Sequence, residues 1–265
     1  MKNKKSIYTI ITLVFAIGFY IYDNYSFESK TTSTNVEKSL DANFLPTSTT
    51  GKIVHHNFYS LSYSEKHEQA EWVAYELYKD HITSTNFKRP YFTKDQKVKT
   101  QSAHYRNYSN SGYDKGHLCP AGDRKFSKEA HDETFLTSNI SPQNHEFNSG
   151  IWNRLEQKTR YWAQKYQNLY IVTGGILTPN LETIGSEKVA VPKYFYKIIL
   201  DFHEPEIKAI AFLIPHNKSE KALYKFVTSI DEIEKITGID FFPEIEDSLE
   251  NKLEKSSSYS NWNFR

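Results

Sequence analysis

The chain predicts an α+β domain, with a mainly antiparallel central sheet and flanking helices. Short alternating segments bounded by turn residues recur along it, and one long segment near its middle has helical periodicity. Aromatic residues make up 15 %, with 17 Phe and 19 Tyr, enough to build a core for one domain of ordinary size.

Residues 58–62 alternate polar and apolar and read as a strand. Residues 72–77 fit a helix or a strand equally well. Residues 168–173 are a strand that Gly174-Gly175 would break. Residues 194–202 and 207–214 are further strands, the second ended by Pro215. Residues 220–228 and 229–237 suggest helices. The clearest helix spans about 147–167, where Ile151, Trp152, Leu155, Trp162 and Tyr166 share one stripe. Asn153, Arg154, Gln157 and Gln164 lie opposite. Asn148, Glu156 and Arg160 run along the edge of the apolar stripe, a ridge in which Trp152 fills the gap.

The folded domain is expected at residues 51–247. Residues 23–50 are rich in Ser, Thr, Asn and charge and read as a polar linker, and residues 248–265 as a polar tail. Lys2, Lys4 and Lys5 precede an apolar run, so residues 1–22 read as a signal anchor or a signal peptide. Either would make the chain exported, membrane-anchored outside the cytoplasm or secreted if cleaved. The formal net charge is +1, so attraction to phosphate requires a local patch rather than a global basic field. Cys119 is the single cysteine, which excludes an intrachain disulfide and a cysteine-rich zinc site.

Two segments concentrate reactive residues. One is Tyr113-Asp114-Lys115-Gly116-His117-Leu118-Cys119-Pro120; the other runs from Thr137 through Asn139 and Asn148 to Glu156 and Arg160. Phosphodiester hydrolysis needs a base for water and neutralisation of charge at phosphorus and on the leaving oxygen. A neutral histidine is a natural base near pH 7, and Gly116 would let a turn expose His117. A hard ion such as Mg2+ takes oxygen ligands, and the Asn148 amide could supply one. Glu156 could accept hydrogen bonds from the ion's waters, and Arg160 could pair with phosphate oxygens. Each residue alone has a blander reading: a packed histidine, a helix-capping asparagine, a surface ion pair. Asp114 and Asp123 read as turn-shaping side chains.

In combination these residues resemble the DNA/RNA non-specific endonuclease family, a ββα-metal group. The likeness rests on Asp114-Lys115-Gly116-His117, Ser138-Asn139-Ile140-Ser141-Pro142-Gln143, Asn148 and Trp152-Asn153-Arg154-Leu155-Glu156, and covers roughly residues 51–240. It implies a ββα-metal motif with His117 as general base and Asn148 as the protein ligand of one Mg2+, with Mn2+ an alternative. Glu156 would orient metal-bound water, Arg160 and Arg89 would bind phosphate, and Asn139 would support the site. Lys115 stands where the family usually has arginine; it keeps the charge and loses the bidentate fork. The implied function is an endonuclease acting on DNA and RNA with little sequence preference. The alternatives are a catalytically weakened nucleic-acid-binding protein on the same scaffold and a phosphodiesterase for a small substrate. Expected partners are DNA and RNA as substrates and the membrane through the N-terminal segment, with a homodimer and an inhibitor protein as further candidates.

Overall fold

Residues 44–264 are described from a computed structural model. The expected signal segment and residues 23–43 of the linker lie outside them. In chain order the strands are β1 (Ile53–His55), β2 (Ser60–Ser64), β3 (Gln69–Tyr78), β4 (Asp114–His117), β5 (Ile140–Gln143), β6 (Asn168–Gly175), β7 (Thr183–Ile184), β8 (Val189–Ala190), β9 (Tyr194–Asp201), β10 (Lys208–Pro215) and β11 (Val227–Thr228). The helices are α1 (Lys128–Glu133), α2 (Asn153–Tyr166), α3 (Ile230–Thr237) and α4 (Asp247–Glu254).

Seven strands form one sheet in the order β1-β2-β3-β6-β9-β10-β11, and every pairing in it is antiparallel. The α+β expectation is met. Both faces of this sheet are covered. Val73, Tyr75, Leu77, Ile171 and Ile199 pack with Leu155 and Trp162 of α2 on one face. Trp72, Ala74, Val172, Ile198 and Leu200 pack with Ile230 and Ile233 of α3 and Leu253 of α4 on the other. This resolves the ambiguity at residues 72–77. They are the middle of a strand buried on both sides, and such a strand loses the polar alternation that separates it from a helix.

Two local expectations change. Residues 220–228 are not a helix: a single 3₁₀ turn at Leu223–Phe226 leads into β11, whose β-branched Val227 and Thr228 pair with Phe212 and Ala211 of β10. Gly174 and Gly175 do not break β6, which stays paired to Phe195 of β9. A Cβ on Gly174 would overlap the Glu71 carbonyl and the Tyr196 ring, so this glycine serves close packing rather than a turn.

The folded unit also reaches past residues 51–247. Trp72 donates its indole N–H to the Thr47 carbonyl at 2.9 Å, and Glu71 accepts the Thr49 amide at 3.0 Å. At the other end, Trp262 meets Trp162 edge-on at 4.8 Å, and the Trp162 indole donates to the Asn263 carbonyl at 2.8 Å. Both segments are polar in composition, yet the Trp72 and Trp162 indoles donating to their backbone carbonyls, with Trp262 packed on Trp162, tie them down. Trp262 is only 3 % exposed. Replacing it with alanine should therefore lower stability by about 3 kcal/mol, measured as a lower urea midpoint at unchanged slope.

Candidate active site

The site is carried by a β-hairpin-like pair and a helix. Strand β4 pairs antiparallel with β5, placing Gly116 opposite Ser141 and His117 opposite Ile140. From β5 the chain makes a wide π-type turn over Phe147–Trp152, interrupted at Gly150 (φ −98°, ψ −106°), and continues directly into α2. This is a ββα arrangement.

His117 ends β4 rather than sitting on a flexed turn. Gly116 is required for space: a Cβ there would overlap the Gln143 carboxamide, which crosses over it from β5. His117 is packed by Phe135 at 5.0 Å, edge to face, and Phe92 at 5.6 Å. Its Nε2 is shielded and has no hydrogen-bond partner. Burial, helped by Arg89 and His131, lowers its pKa to about 3, so the imidazole is neutral at pH 7. Arg89 is exposed, with its guanidinium carbon 5.4 Å from the centre of the same Phe135 ring. Lys115, two residues before His117, holds its Nζ 5.6 Å from the Phe92 ring and 5.9 Å from the Tyr108 ring. The structure thus brings Arg89, Lys115 and His117 together around Phe92 and Phe135.

Asn148 lies in the π-type turn, half-buried. Its Nδ2 donates to Asp114 Oδ2 at 3.0 Å, and the same oxygen contacts His145 Nδ1 at 2.9 Å. Anchoring the amide nitrogen turns Oδ1 the other way, as a ligand oxygen should be held. Asp114 therefore does more than shape a turn. The sequence signal for this was its place three residues before His117, which alone does not tell a hydrogen-bond acceptor from a turn former. The helix-capping role weighed for Asn148 belongs instead to Asn144, whose Oδ1 accepts the Glu146 and Phe147 amides at 2.9 and 3.3 Å.

Asn139 is fully buried and wholly engaged with backbone. Its Oδ1 accepts the Cys119 amide at 2.8 Å, and its Nδ2 donates to the carbonyls of Cys119 and Thr134 at 3.0 and 2.9 Å. It clamps the chain leaving His117 and is a positioning residue. Cys119, buried beside it, has its thiol pushed up to about 12 by burial, which keeps it protonated at neutral pH.

On α2, Glu156 and Arg160 stand where the edge of the apolar stripe predicts. Arg160 Nη1 meets Asp123 Oδ1 at 2.6 Å, and Asp123 Oδ2 accepts the Tyr75 hydroxyl at 2.9 Å. Burial pushes the Glu156 carboxyl up to about 7; Lys197 opposes this rise, Asp123 adds to it and Arg160 again opposes it. Lys197, on β9 beneath the helix, was not anticipated. It is completely buried, its Nζ has no hydrogen-bond partner, and it lies 5.1 Å from the Trp152 ring. A lysine inside an otherwise apolar strand was the available signal.

The donor set fits a hard divalent ion. Asn148 presents an amide oxygen, Asp114 fixes it, and the Glu156 carboxylate is near Arg160 on the next turns of the same chain segment. Oxygen donors of this kind suit Mg2+ or Mn2+ rather than a thiolate-loving metal.

The family model for DNA/RNA non-specific endonuclease matches residues 37–248, and the chain belongs to this family. It is 36 % identical over 208 residues to the mitochondrial nuclease EXOG of Danio rerio, covering 70 % of this chain and 59 % of that protein. It is 32 % identical over 202 residues to the mitochondrial endonuclease G of Homo sapiens, covering 71 % and 68 %. The matched region thus spans under two thirds of the EXOG relatives. Among solved structures, an EndoG/EndoGI complex described as showing the mechanism of EndoG inhibition matches with a TM-score of 0.68 at 28 % identity, covering 74 % of this chain and 87 % of that one. These relatives overturn the expected localisation. They are named as mitochondrial nucleases, so the exported, membrane-anchored or secreted reading is withdrawn. Among the described residues no helix is long and apolar enough to cross a membrane.

Two outcomes follow from the contacts above. Asp114→Ala frees the Asn148 amide and should raise the metal concentration needed for half-maximal activity by roughly 10–100-fold, read from a Mg2+ titration of cleavage. The second concerns pH. The folded-state pKa of His117 lies below its ordinary value of 6.5, so its contribution to stability is present above pH 6.5 and is lost as pH falls toward about 3. Wild type should lose stability over that window more steeply than His117→Asn, compared in urea melts at several pH values.

Proposed function

We propose that this chain is a divalent-metal-dependent nuclease that hydrolyses phosphodiester bonds in DNA and RNA with little sequence preference. The observation that carries it is the pairing of a neutral, unbonded His117 imidazole with an Asn148 amide whose nitrogen Asp114 holds, both on one ββα unit. Asn148 Oδ1 would hold the ion, Mg2+ in the first instance with Mn2+ an alternative. When bound, the ion would neutralise charge on the scissile phosphate and the leaving oxygen.

The chain's own groups do the rest. His117 takes the proton from the attacking water, its Nε2 having no other hydrogen-bond partner. Glu156 would accept hydrogen bonds from water held at the ion. Arg160, held from behind by Asp123, offers its remaining N–H groups to phosphate oxygens. Arg89 and Lys115 add positive charge on the His117 side, Lys115 as a point charge without a fork. Asn139 keeps the chain after His117 in place. An inhibitor protein is a proposed partner, by analogy with the EndoG/EndoGI complex.

The test is cleavage of plasmid DNA and of single-stranded RNA by the full chain with Mg2+, with and without chelator. Both substrates should be cut, chelator should stop the reaction, and His117→Ala should lower kcat by about 10²–10⁴-fold. Equal rates for wild type and His117→Ala would remove the proposal.

A further inference from the structure

An aromatic groove lies at the C-terminal end of α2, on the same face of the sheet as the ββα unit. Its volume is about 640 Å³, within the range of ligand-binding clefts. Lys165 and Tyr166 of α2, Tyr224 of the 3₁₀ turn before β11, and Tyr259, Trp262 and Phe264 of the tail line it. Tyr224 and Tyr259 each meet Phe264 edge-on, at 6.1 and 5.7 Å, and stack on each other at 5.3 Å. Both remain exposed, at 38 % and 44 %. The rings are thus held in place before any ligand arrives, which lowers the entropic cost of binding. A cluster of aromatic faces left in water suits a partner with flat rings of its own.

The charge of the groove narrows the partner further. Lys165 Nζ lies 5.4 Å from the Tyr166 ring, and Lys225 Nζ lies 5.4 Å from the Tyr224 ring. Both lysines are exposed, and neither makes an ion pair among the described residues. Lys208, 4.0 Å from the Tyr166 ring, is instead tied to Asp201 and Glu206, each at 3.5 Å. None of the described residues that line the groove is acidic. In a chain of formal net charge +1 this is a local basic patch. Stacking rings interleaved with cations match a single-stranded polynucleotide, whose bases are free to stack and whose backbone is anionic. A neutral sugar would use the rings and not the lysines, and a duplex keeps its base faces within its own stack.

We propose that this groove is a second binding site for single-stranded DNA or RNA, in which Tyr224 and Tyr259 stack bases and Lys165 and Lys225 hold phosphates. Its role, to hold the strand flanking the cut, rests on the nuclease reading above; its binding does not. At 3.6 residues per turn, Lys165 lies roughly 140° round α2 from Arg160, so the groove and the catalytic centre occupy opposite flanks of the helix. A helix with its side chains is about 10–12 Å across, and stacked nucleotides advance about 3.4 Å each. A strand therefore needs roughly four or more nucleotides to touch both places. Short substrates reach only the catalytic centre, and long ones reach the groove as well.

The experiment is fluorescence anisotropy of a labelled oligo(dT) of about 20 nucleotides, long enough to reach both places, with the full chain in chelator. The wild type should bind, more weakly as salt rises. Tyr224→Leu with Tyr259→Leu keeps apolar bulk against Phe264 and removes the stacking faces; it should weaken binding by about tenfold or more. Lys165→Gln with Lys225→Gln should weaken it too and flatten the salt dependence. With Mg2+, both pairs should raise KM for the long oligonucleotide and cut a dinucleotide like the wild type. If the tyrosine pair does not fold, Tyr259→Leu alone, at the more exposed ring, should give a smaller loss in the same direction. A wild type that does not bind overturns the proposal, as does undiminished affinity in either pair. Loss in the tyrosine variant alone would mean an uncharged ligand, and loss in the lysine variant alone would mean charge without stacking. A chain that binds through the groove yet cuts neither substrate would keep the groove and remove the nuclease reading. A chain that cuts both, with affinity unchanged in the variants, would do the reverse.

Discussion

The buried carboxylate of Asp123 is the joint on which the site depends. One oxygen holds Arg160 of α2 and the other holds the Tyr75 hydroxyl of β3, so a single side chain fixes the helix, the sheet and the segment leaving β4. A charge this deep, 1 % exposed, is tolerable only with partners on both oxygens. Gly122 leaves the space for it, since a Cβ there would come within 3.0 Å of Arg160 Nη1. Removing either partner would strand a charge, and α2 would lose its fixed angle to the strand that carries His117.

Electrostatically the two sides of the site are set differently. Around His117 the rings of Phe92 and Phe135 flank the imidazole, and burial together with the neighbouring positive charge of Arg89 favours the neutral ring. Around Glu156 the effects oppose one another. Burial favours the acid, while Lys197 and Arg160 favour the carboxylate. Lys197 is itself lowered by burial and sustained by Glu156 and Asp123. The floor of the site is thus a set of charges whose states depend on one another.

Much of this was legible in the sequence. The stripe from Ile151 to Trp162 gave the direction of α2, and the ridge of Glu156 and Arg160 followed from helical geometry alone. The order of residues from Asp114 to Glu156 was enough to identify the family. What stayed hidden depended on contacts between segments distant in the chain. Gly116 read as a flexible turn because Gln143, which needs its space, is contributed by another strand. Asp114 read as a turn former because its partner Asn148 is 34 residues away. Residues 72–77 were ambiguous because burial on both faces erases alternation, and the tail read as polar because its few buried apolar residues, such as Leu253 and Trp262, are spaced among polar ones. The expected export was a reading of composition alone, and the named relatives point elsewhere.

Strands β3 and β6 are neighbours in the sheet, yet one ends at Tyr78 and the other begins at Asn168. Every expected site residue from Arg89 to Arg160 falls in the excursion between them. The expected site residues are therefore one block of sequence inserted between two parts of the scaffold. For folding, the centre of the sheet cannot zip until this long loop has closed, an entropic toll that grows with the logarithm of loop length. Pairing of β3 with β6 thus brings the two ends of the catalytic segment together at the centre of the sheet.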